Sequence, residues 1–237
     1  VRLATPRSDS EWRGTLQPDD RKAWWNSYER LILHLAKLCK AQNVAQFSIG
    51  SELSTLDGER DLPQWQKLCD KVRATCKSGL TYSGNWDHFD KVALYGLCDT
   101  AGMCAYFPLA SRLSIPPIPV EDMVSAWQKK RDELVTFAKK RNRPLLLTEV
   151  GYLSQRGACA WPWEEGAEKP VDLEDQRRAY EAFARVWQGE PSLSGVYFWN
   201  YYGFGGRASR GYTMRHKPAA QEMERYFLSE SARPALP

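Results

Sequence analysis

The sequence predicts an α/β fold, a (β/α)₈ TIM barrel of which this chain shows about six βα units, strands 3 to 8. Short apolar runs alternate with amphipathic segments of helical length along the whole chain. This alternation predicts a parallel sheet covered by helices and joined by right-handed crossovers. In addition, single acidic residues follow two of the runs, and barrels of this type carry their chemistry at the carboxyl ends of the strands.

The first half of the chain contains three predicted strands, residues 1–5, 44–49 and 80–83, and the two clearest helices. The first helix, residues 19–40, has apolar residues at helical spacing. Its predicted buried stripe is Trp24, Tyr28, Leu31, Ile32, Leu35, Leu38 and Cys39. The second helix opens at Pro63, a residue well suited to a first turn. Its predicted stripe is Trp65, Leu68, Cys69, Val72 and Cys76.

The second half continues the alternation. The predicted elements are a weak helix at residues 90–97, strands at 103–107, 145–147 and 196–199, and helices at 121–140, after the N-cap Asp172, and from Pro218. The inward residues of these helices are predicted to include Met123, Trp127, Leu134, Phe137, Tyr180, Phe183 and Trp187. The prolines within residues 111–120 make that segment a stiff loop.

The number of units separates two architectures. A doubly wound sheet would carry a glycine signature after an early strand, and the sequence has none. A closed barrel needs eight units and ~250 residues, so we expect two further units, about 60 residues, before Val1. Residues 1–237 are then one catalytic domain that lacks its N-terminal part. The chain begins without Met, so this end gives no basis for assigning a compartment.

Composition and charge exclude several classes of protein. Hydrophobic residues make up 43% of the chain and the mean hydropathy is -0.57, which indicates a soluble globular domain with a sizeable core. No stretch approaches the ~20 apolar residues of a membrane span. The net charge of +4 is spread along the chain, and the short basic runs at Lys129 and Lys139 indicate solvated helix faces. We therefore expect neither a nucleic-acid partner nor a membrane span; the oligomeric state stays open.

Metal and cofactor sites are not predicted. The three histidines are scattered and no C-x-x-C is present, so metal-ligand spacing is lacking. The glycine-rich stretch near Gly203 lacks the Lys-Ser/Thr of a phosphate loop. Small buried thiols are the favoured interpretation of the six cysteines, and a disulfide that involves Cys159 is the alternative.

Two glutamates are the candidate catalytic residues. Glu149 ends the apolar run in RPLLLTEVGY, and Glu52 follows the run in QFSIGSEL. Because an ionised carboxylate is costly to bury, each is expected at a strand mouth. Two carboxylates carried on separate strands are what a glycoside hydrolase requires. The alternative is that each is an ordinary solvated loop acid.

Aromatic residues suggest where a sugar could bind. The chain has ten Trp and eleven Tyr, and many of them stand beside Gly, Pro or Asn in predicted loops. Such rings can stack on the C–H face of a pyranose, or they can pack in the core. For Trp161 and Trp163 loop packing and a sugar subsite are equally good interpretations.

Six ordered segments resemble the bacterial β-mannanases of glycoside hydrolase family 113, which belong to a large clan of (β/α)₈ retaining glycosidases. The segments are WRGTLQPDDRKAWWNSYERLILHLAKL, FSIGSELS, LTYSGNW, AYFPL, LLLTEVGY and GVYFWNYY. They span nearly the whole chain. The resemblance implies an endo-acting β-1,4-mannanase with a β-linked glycan substrate.

The resemblance also implies roles for individual residues. It makes Glu52 the acid/base, Glu149 the nucleophile, and Tyr106 the tyrosine that hydrogen-bonds the nucleophile. It also implies that Trp199 stacks on the sugar, and that Asn85 and Trp86 line the cleft. Core packing is the alternative role of Trp199.

One position departs from the pattern. Many clan members have Asn before the acid/base, where it contacts the sugar 2-hydroxyl, and this chain has Ser51. Because mannose carries that hydroxyl axially, we hypothesise that the shorter donor suits it. Two other functions share these residues: another β-glycosidase of the clan, such as a cellulase or an exo-acting enzyme, and a catalytically silent glycan-binding barrel.

Overall fold

The computed structural model describes residues 1, 3, 12–111, 114, 116–165 and 169–231. Helices and strands alternate along most of this length. In chain order the elements are α1 (Arg21–Ala41), β1 (Gln46–Ser51), α2 (Leu62–Thr75), β2 (Gly79–Asn85), β3 (Thr100–Cys104), α3 (Val120–Arg141), β4 (Leu145–Val150), α4 (Leu173–Trp187), β5 (Leu193–Phe198) and α5 (Ala219–Ser231). Short 3₁₀ helices, among them Arg13–Thr15 and Ala93–Leu97, lie between them.

The chain divides into two compact units. The first consists of Val1–Cys104 and Phe137–Thr148, and the second of Ala105–Thr136 and Glu149–Pro237. The division falls within α3 and within β4. Each candidate glutamate therefore belongs to a different unit, and its surroundings come from that unit.

In the first unit β1 pairs with β2, and β2 with β3, both in parallel. The residue before β4 joins the same sheet, because the Ala101 N–H donates to the Pro144 carbonyl at 2.9 Å. The core between strands and helices is rich in edge-to-face aromatic contacts, such as Trp65 against Trp25 and Tyr82. Residues of α1, α2, β1 and β2 supply most of this core.

In the second unit the end of β4 lies beside the end of β5, where the Trp199 N–H donates to the Val150 carbonyl at 2.8 Å. Helix α4 begins at the predicted N-cap, and the Asp172 side chain accepts from the Asp175 N–H. The buried face of this helix carries Tyr180, Phe183 and Trp187, as predicted.

The predicted strands 44–49, 80–83, 145–147 and 196–199 all correspond to observed strands. The strand predicted at 103–107 is wrong in its bounds, because β3 ends at Cys104 and the following residues leave the sheet. The weak helix predicted at 90–97 is instead two 3₁₀ helices. The strand predicted at 1–5 lies mostly outside the described residues.

The buried face of α1 also differs from the prediction. Trp25, Tyr28, Ile32 and Ala36 are buried, whereas Leu31 and Leu38 are exposed. The helix carries apolar residues over a wide arc, and the small Ala36 marks the side that packs closely. The stripe predicted for α2 is confirmed at all of its positions.

The cysteines favour the thiol interpretation. None of the six is joined in a disulfide, and all except Cys39 are buried. Burial raises the pKa of Cys69 to about 11, which makes this thiol a weak nucleophile. Within the described residues, no helix has the length and apolar character needed to cross a bilayer.

Candidate active site

Glu52 follows β1 directly, and its backbone is left-handed, with a φ of 53°. This conformation is uncommon for a residue other than glycine. The Glu52 N–H donates to the Ser83 carbonyl at 2.7 Å, which fixes the turn against β2. The residue is only 5% exposed, so it is not the solvated loop acid of the alternative interpretation.

The Glu52 carboxyl group forms an ion pair with Arg13, whose Nη1 faces Oε2. Arg13 belongs to the 3₁₀ helix Arg13–Thr15, and its Nε donates to the Leu3 carbonyl at 2.9 Å. An adjacent guanidinium stabilises the negative form of a carboxyl group. Sequence reasoning missed this partner, because a polar loop residue gives no pattern that shows which distant acid it will meet.

A chain of buried polar groups lies behind Glu52. The N–H of the next residue, Leu53, donates to Tyr82 Oη at 2.7 Å, and Tyr82 Oη donates to Asp57 Oδ2 at 2.9 Å. The other oxygen of Asp57 lies 3.1 Å from His88 Nε2. Burial raises the pKa of Asp57 despite the bonds from Tyr82 and His88. None of these three side chains stood out in the sequence.

The other site residues predicted in the first unit have protein partners. Ser51 is buried, and its Oγ lies 3.7 Å from Cys104 Sγ. Asn85 is buried at the end of β2, where its Nδ2 donates to Asp87 Oδ1 at 2.5 Å. Trp86, the next residue, is half-buried.

Glu149, near the end of β4, is half-buried and has a neutral donor beside it. Tyr106 Oη donates to Glu149 Oε2 at 2.8 Å. The same segment is attached through the backbone, since the Ala105 N–H donates to the Glu149 carbonyl at 2.6 Å. The Tyr106 ring packs edge-on against Tyr212, with ring centroids 6.1 Å apart. A phenol donor stabilises the carboxylate without adding a charge.

Gly151 explains how Trp199 comes close to this strand. A Cβ at position 151 would overlap the carbonyl oxygen of Trp199, so only glycine allows the two backbones to approach. Trp199 is half-buried and meets Tyr202 edge-on at 6.0 Å between ring centroids. The peptide bond between Trp199 and Asn200 is cis.

The second unit carries further aromatic rings outside its core. Trp161 and Trp163 are both half-buried, and Lys169 Nζ lies 4.3 Å from the centroid of the Trp161 ring. Tyr201, Tyr202 and Phe204, in the glycine-rich segment after β5, are exposed. Among the residues that the structure describes, no group of three His, Cys, Asp or Glu side chains could hold a metal ion.

Solved structures with a similar fold include two β-mannanases of family 113. The first, a GH113 β-1,4-mannanase determined as a complex, is 19% identical with a TM-score of 0.80, over 94% of this chain and 70% of that chain. The second, AaManA from Alicyclobacillus acidocaldarius in complex with ManMIm, is 24% identical with a TM-score of 0.77, over 95% and 70%. These likenesses show that the chain forms part of a (β/α)₈ TIM barrel.

More distant structures share the fold as well. A β-glucuronidase from Faecalibacterium prausnitzii is 14% identical with a TM-score of 0.62, over 86% of this chain and 35% of that chain. A search of curated protein sequences finds no match. The model of Glycoside Hydrolase Family 113 matches residues 7–216, which is most of the chain. The chain therefore belongs to glycoside hydrolase family 113, and it is a glycoside hydrolase.

Proposed function

We propose that this glycoside hydrolase is a retaining, endo-acting β-1,4-mannanase in which Glu149 is the nucleophile and Glu52 the acid/base. The observation that carries the proposal is the bond from Tyr106 Oη to Glu149 Oε2, at 2.8 Å. A nucleophilic carboxylate must be ionised, and a directed phenol donor favours that form. Membership of family 113 and the mannanases among the similar structures support the substrate class.

In the first step of this proposal, a Glu149 carboxylate oxygen attacks the anomeric carbon. The glycosidic bond breaks, and the leaving oxygen takes the proton of Glu52, so that a glycosyl ester and a free sugar end form. In the second step Glu52, now a carboxylate, removes a proton from water as the water attacks the anomeric carbon. Glu149 leaves as a carboxylate, and the product keeps the anomeric configuration of the substrate.

Tyr106 and Arg13 support different moments of this cycle. Tyr106 donates to the free Glu149 carboxylate before attack and after release, when that group is charged. Arg13 faces Glu52 with a positive charge, which favours the carboxylate that Glu52 becomes once it has given up its proton. The burial of Glu52 acts in the opposite sense and favours the protonated form that must begin the cycle.

The remaining predicted residues are proposed to bind the glycan. Trp199 and Trp163 offer faces for stacking on pyranose rings. Asn85, Trp86 and Ser51 are proposed to contact sugar hydroxyl groups. Asn85 and Ser51 would first exchange their present partners, Asp87 and Cys104, for the substrate.

The test is a digest of mannan, glucomannan and cellulose oligomers, with proton NMR of the first product anomer. We expect mannan oligomers to be cut internally and the β-anomer to form first. An inverted first product would contradict the double displacement. Preferential cleavage of cellulose oligomers, or release of single sugars from one end, would replace the mannanase by another β-glycosidase of the clan.

The variant Glu149→Gln separates catalysis from simple binding. We expect it to lose turnover while still binding mannan oligomers, as measured by calorimetry, because the amide preserves the shape of the side chain. A wild-type protein that binds these oligomers without cleaving them would instead support a catalytically silent glycan-binding barrel.

A further inference from the structure

We propose that Tyr82, Asp57 and His88 are positioning residues that hold Glu52 in its catalytic orientation. This inference rests on the acid/base role proposed above for Glu52. The three side chains form one hydrogen-bonded line that ends on the peptide N–H of Leu53, the residue after Glu52. The line meets the backbone at Leu53 through Tyr82 Oη, so its effect on the reaction is indirect.

The direction of each hydrogen bond in this line follows from which groups can donate and which can accept. Tyr82 Oη accepts the Leu53 N–H at 2.7 Å, so its own proton is left for Asp57 Oδ2, at 2.9 Å. An ionised Asp57 offers only acceptors, and therefore His88 Nε2 must donate to Oδ1 across 3.1 Å. Each group thus has one role, and removing any of them leaves a polar partner without its bond.

The line anchors a backbone in an uncommon conformation. Glu52 has a φ of 53°, in a region where residues other than glycine are uncommon. Two consecutive peptide groups are tied to two consecutive residues of β2. The Glu52 N–H reaches the Ser83 carbonyl at 2.7 Å, and the Leu53 N–H reaches Tyr82 Oη. Together they set the direction in which the Glu52 side chain leaves the strand.

Packing alone does not account for these residue types. Asp57 is 0% exposed and Tyr82 is fully buried in the aromatic core of the first unit. A buried carboxyl group is costly, and apolar residues of similar volume would fill the same space at least as well. What the polar line adds is a directed acceptor at one chosen peptide group, beside the proposed acid/base.

The decisive experiment compares Tyr82→Phe with Tyr95→Phe in the purified protein. Tyr95 is a matched control, because it is also fully buried and its Oη donates to a strand carbonyl, that of Gly102, at 2.7 Å. We expect Tyr82→Phe to lower kcat by about 10- to 100-fold with little change in KM, since a small misplacement of a catalytic group is enough for such a loss. Tyr95→Phe should keep kcat within about twofold, at a similar cost in Tm.

The leaving group supplies a readout that a purely structural role would not move. A misplaced acid matters most when the leaving oxygen needs a proton. The loss in kcat/KM for Tyr82→Phe should therefore be larger on mannan oligomers than on a dinitrophenyl β-mannoside. Equal losses on both substrates, or a kcat equal to that of Tyr95→Phe, would overturn the proposal.

If Tyr82→Phe does not fold, two variants of His88 test the proposal instead. Gln at this position keeps an N–H donor for Asp57, whereas Leu removes it. We expect His88→Leu to lower kcat and His88→Gln to recover most of it; equal kcat values in the two variants would count against positioning. Failure of the parent proposal is distinguishable, because the wild type would then show no turnover, or Glu52→Gln would retain it.

Discussion

The two candidate glutamates occupy similar places in the sequence and different surroundings in the structure. Each stands at the end of an apolar run and precedes small or apolar residues. Glu52 is covered, has left-handed backbone geometry and faces the cation of Arg13. Glu149 is half-buried within the regular part of β4 and faces the neutral phenol of Tyr106.

The similar sequence positions of the two glutamates therefore do not define their chemical roles. The role depends on what the rest of the unit brings to the carboxyl group: a charge and burial in one case, a directed hydrogen bond from a neutral phenol in the other. Two carboxyl groups in unlike environments are what a double displacement needs, because one must give a proton and the other must attack.

The largest effects are expected when each of the two glutamates is replaced in turn. Glu52→Gln and Glu149→Gln should each slow cleavage of mannan oligomers by about 10²- to 10⁴-fold or more. On a dinitrophenyl β-mannoside, which leaves without a proton, Glu52→Gln should still form the glycosyl ester and show a burst of dinitrophenol. Glu149→Gln should show no burst, because it has no nucleophile.

Stopped-flow absorbance at the dinitrophenolate band measures this burst. A burst in Glu149→Gln and none in Glu52→Gln would reverse the two roles. Bursts of equal size in both variants would remove these glutamates from the mechanism.

The second prediction concerns the hydrogen bond from Tyr106 to Glu149. Tyr106→Phe removes a hydrogen bond to a charged group, which is worth about 1.5–3 kcal/mol, so kcat/KM should fall by roughly 10- to 150-fold. Tyr152→Phe is the control, because Tyr152 is a buried tyrosine of the same unit whose Oη accepts from Trp127 Nε1 at 2.8 Å. Steady-state kinetics should show the loss for Tyr106→Phe alone, and equal kcat/KM values would contradict the assigned role.

The third prediction concerns the ion pair between Arg13 and Glu52. Arg13→Gln and Glu52→Gln should each lower the free energy of unfolding, because each removes one side of a largely buried ion pair. In the double variant the losses should not add, and the coupling should be about 0.5–3 kcal/mol. Urea unfolding of the four proteins measures it, and additive losses would mean that the ion pair contributes nothing to stability.

The smallest effects concern two buried carboxyl groups with opposite shifts. Burial raises the pKa of Asp175 in the second unit. Burial acts in the same direction on Asp61 in the first unit, but the hydrogen bonds from Arg21 and Trp25 outweigh it and lower the pKa. Asp61 therefore contributes stability above the ordinary pKa of an aspartate, and loses it as the pH falls through its lowered value. Asp175 contributes most below that ordinary pKa, and loses its contribution as the pH rises through its raised value.

Thermal unfolding between about pH 3 and pH 7 tests both signs. Relative to the wild type, Asp61→Asn should become less stable as the pH rises, and Asp175→Asn should become more stable. Curves that run parallel to the wild type would show that neither group titrates differently on folding.

The elements that the sequence predicted well are those fixed by local pattern. Helix α2 has one narrow apolar stripe opened by Pro63, and every residue of that stripe is buried. Helix α1 is apolar on too wide an arc for periodicity to select the buried side. The predicted bounds of β3 were too late in the chain, because the apolar run AYF continues past Cys104, where the strand ends.

The site was predictable only where an acidic residue stands at the end of an apolar run. Glu52 and Glu149 could be found in this way, whereas the partner Tyr106 came from family resemblance. Arg13 and Asp57 could not be found, because polar contacts between distant segments depend on tertiary structure and leave no periodic signal.

Gly151 has a consequence for evolving this enzyme. Any side chain there would push against the backbone of Trp199, so a saturation library at this codon should return glycine almost exclusively among active clones. Changes of sugar preference will therefore have to be sought at other positions.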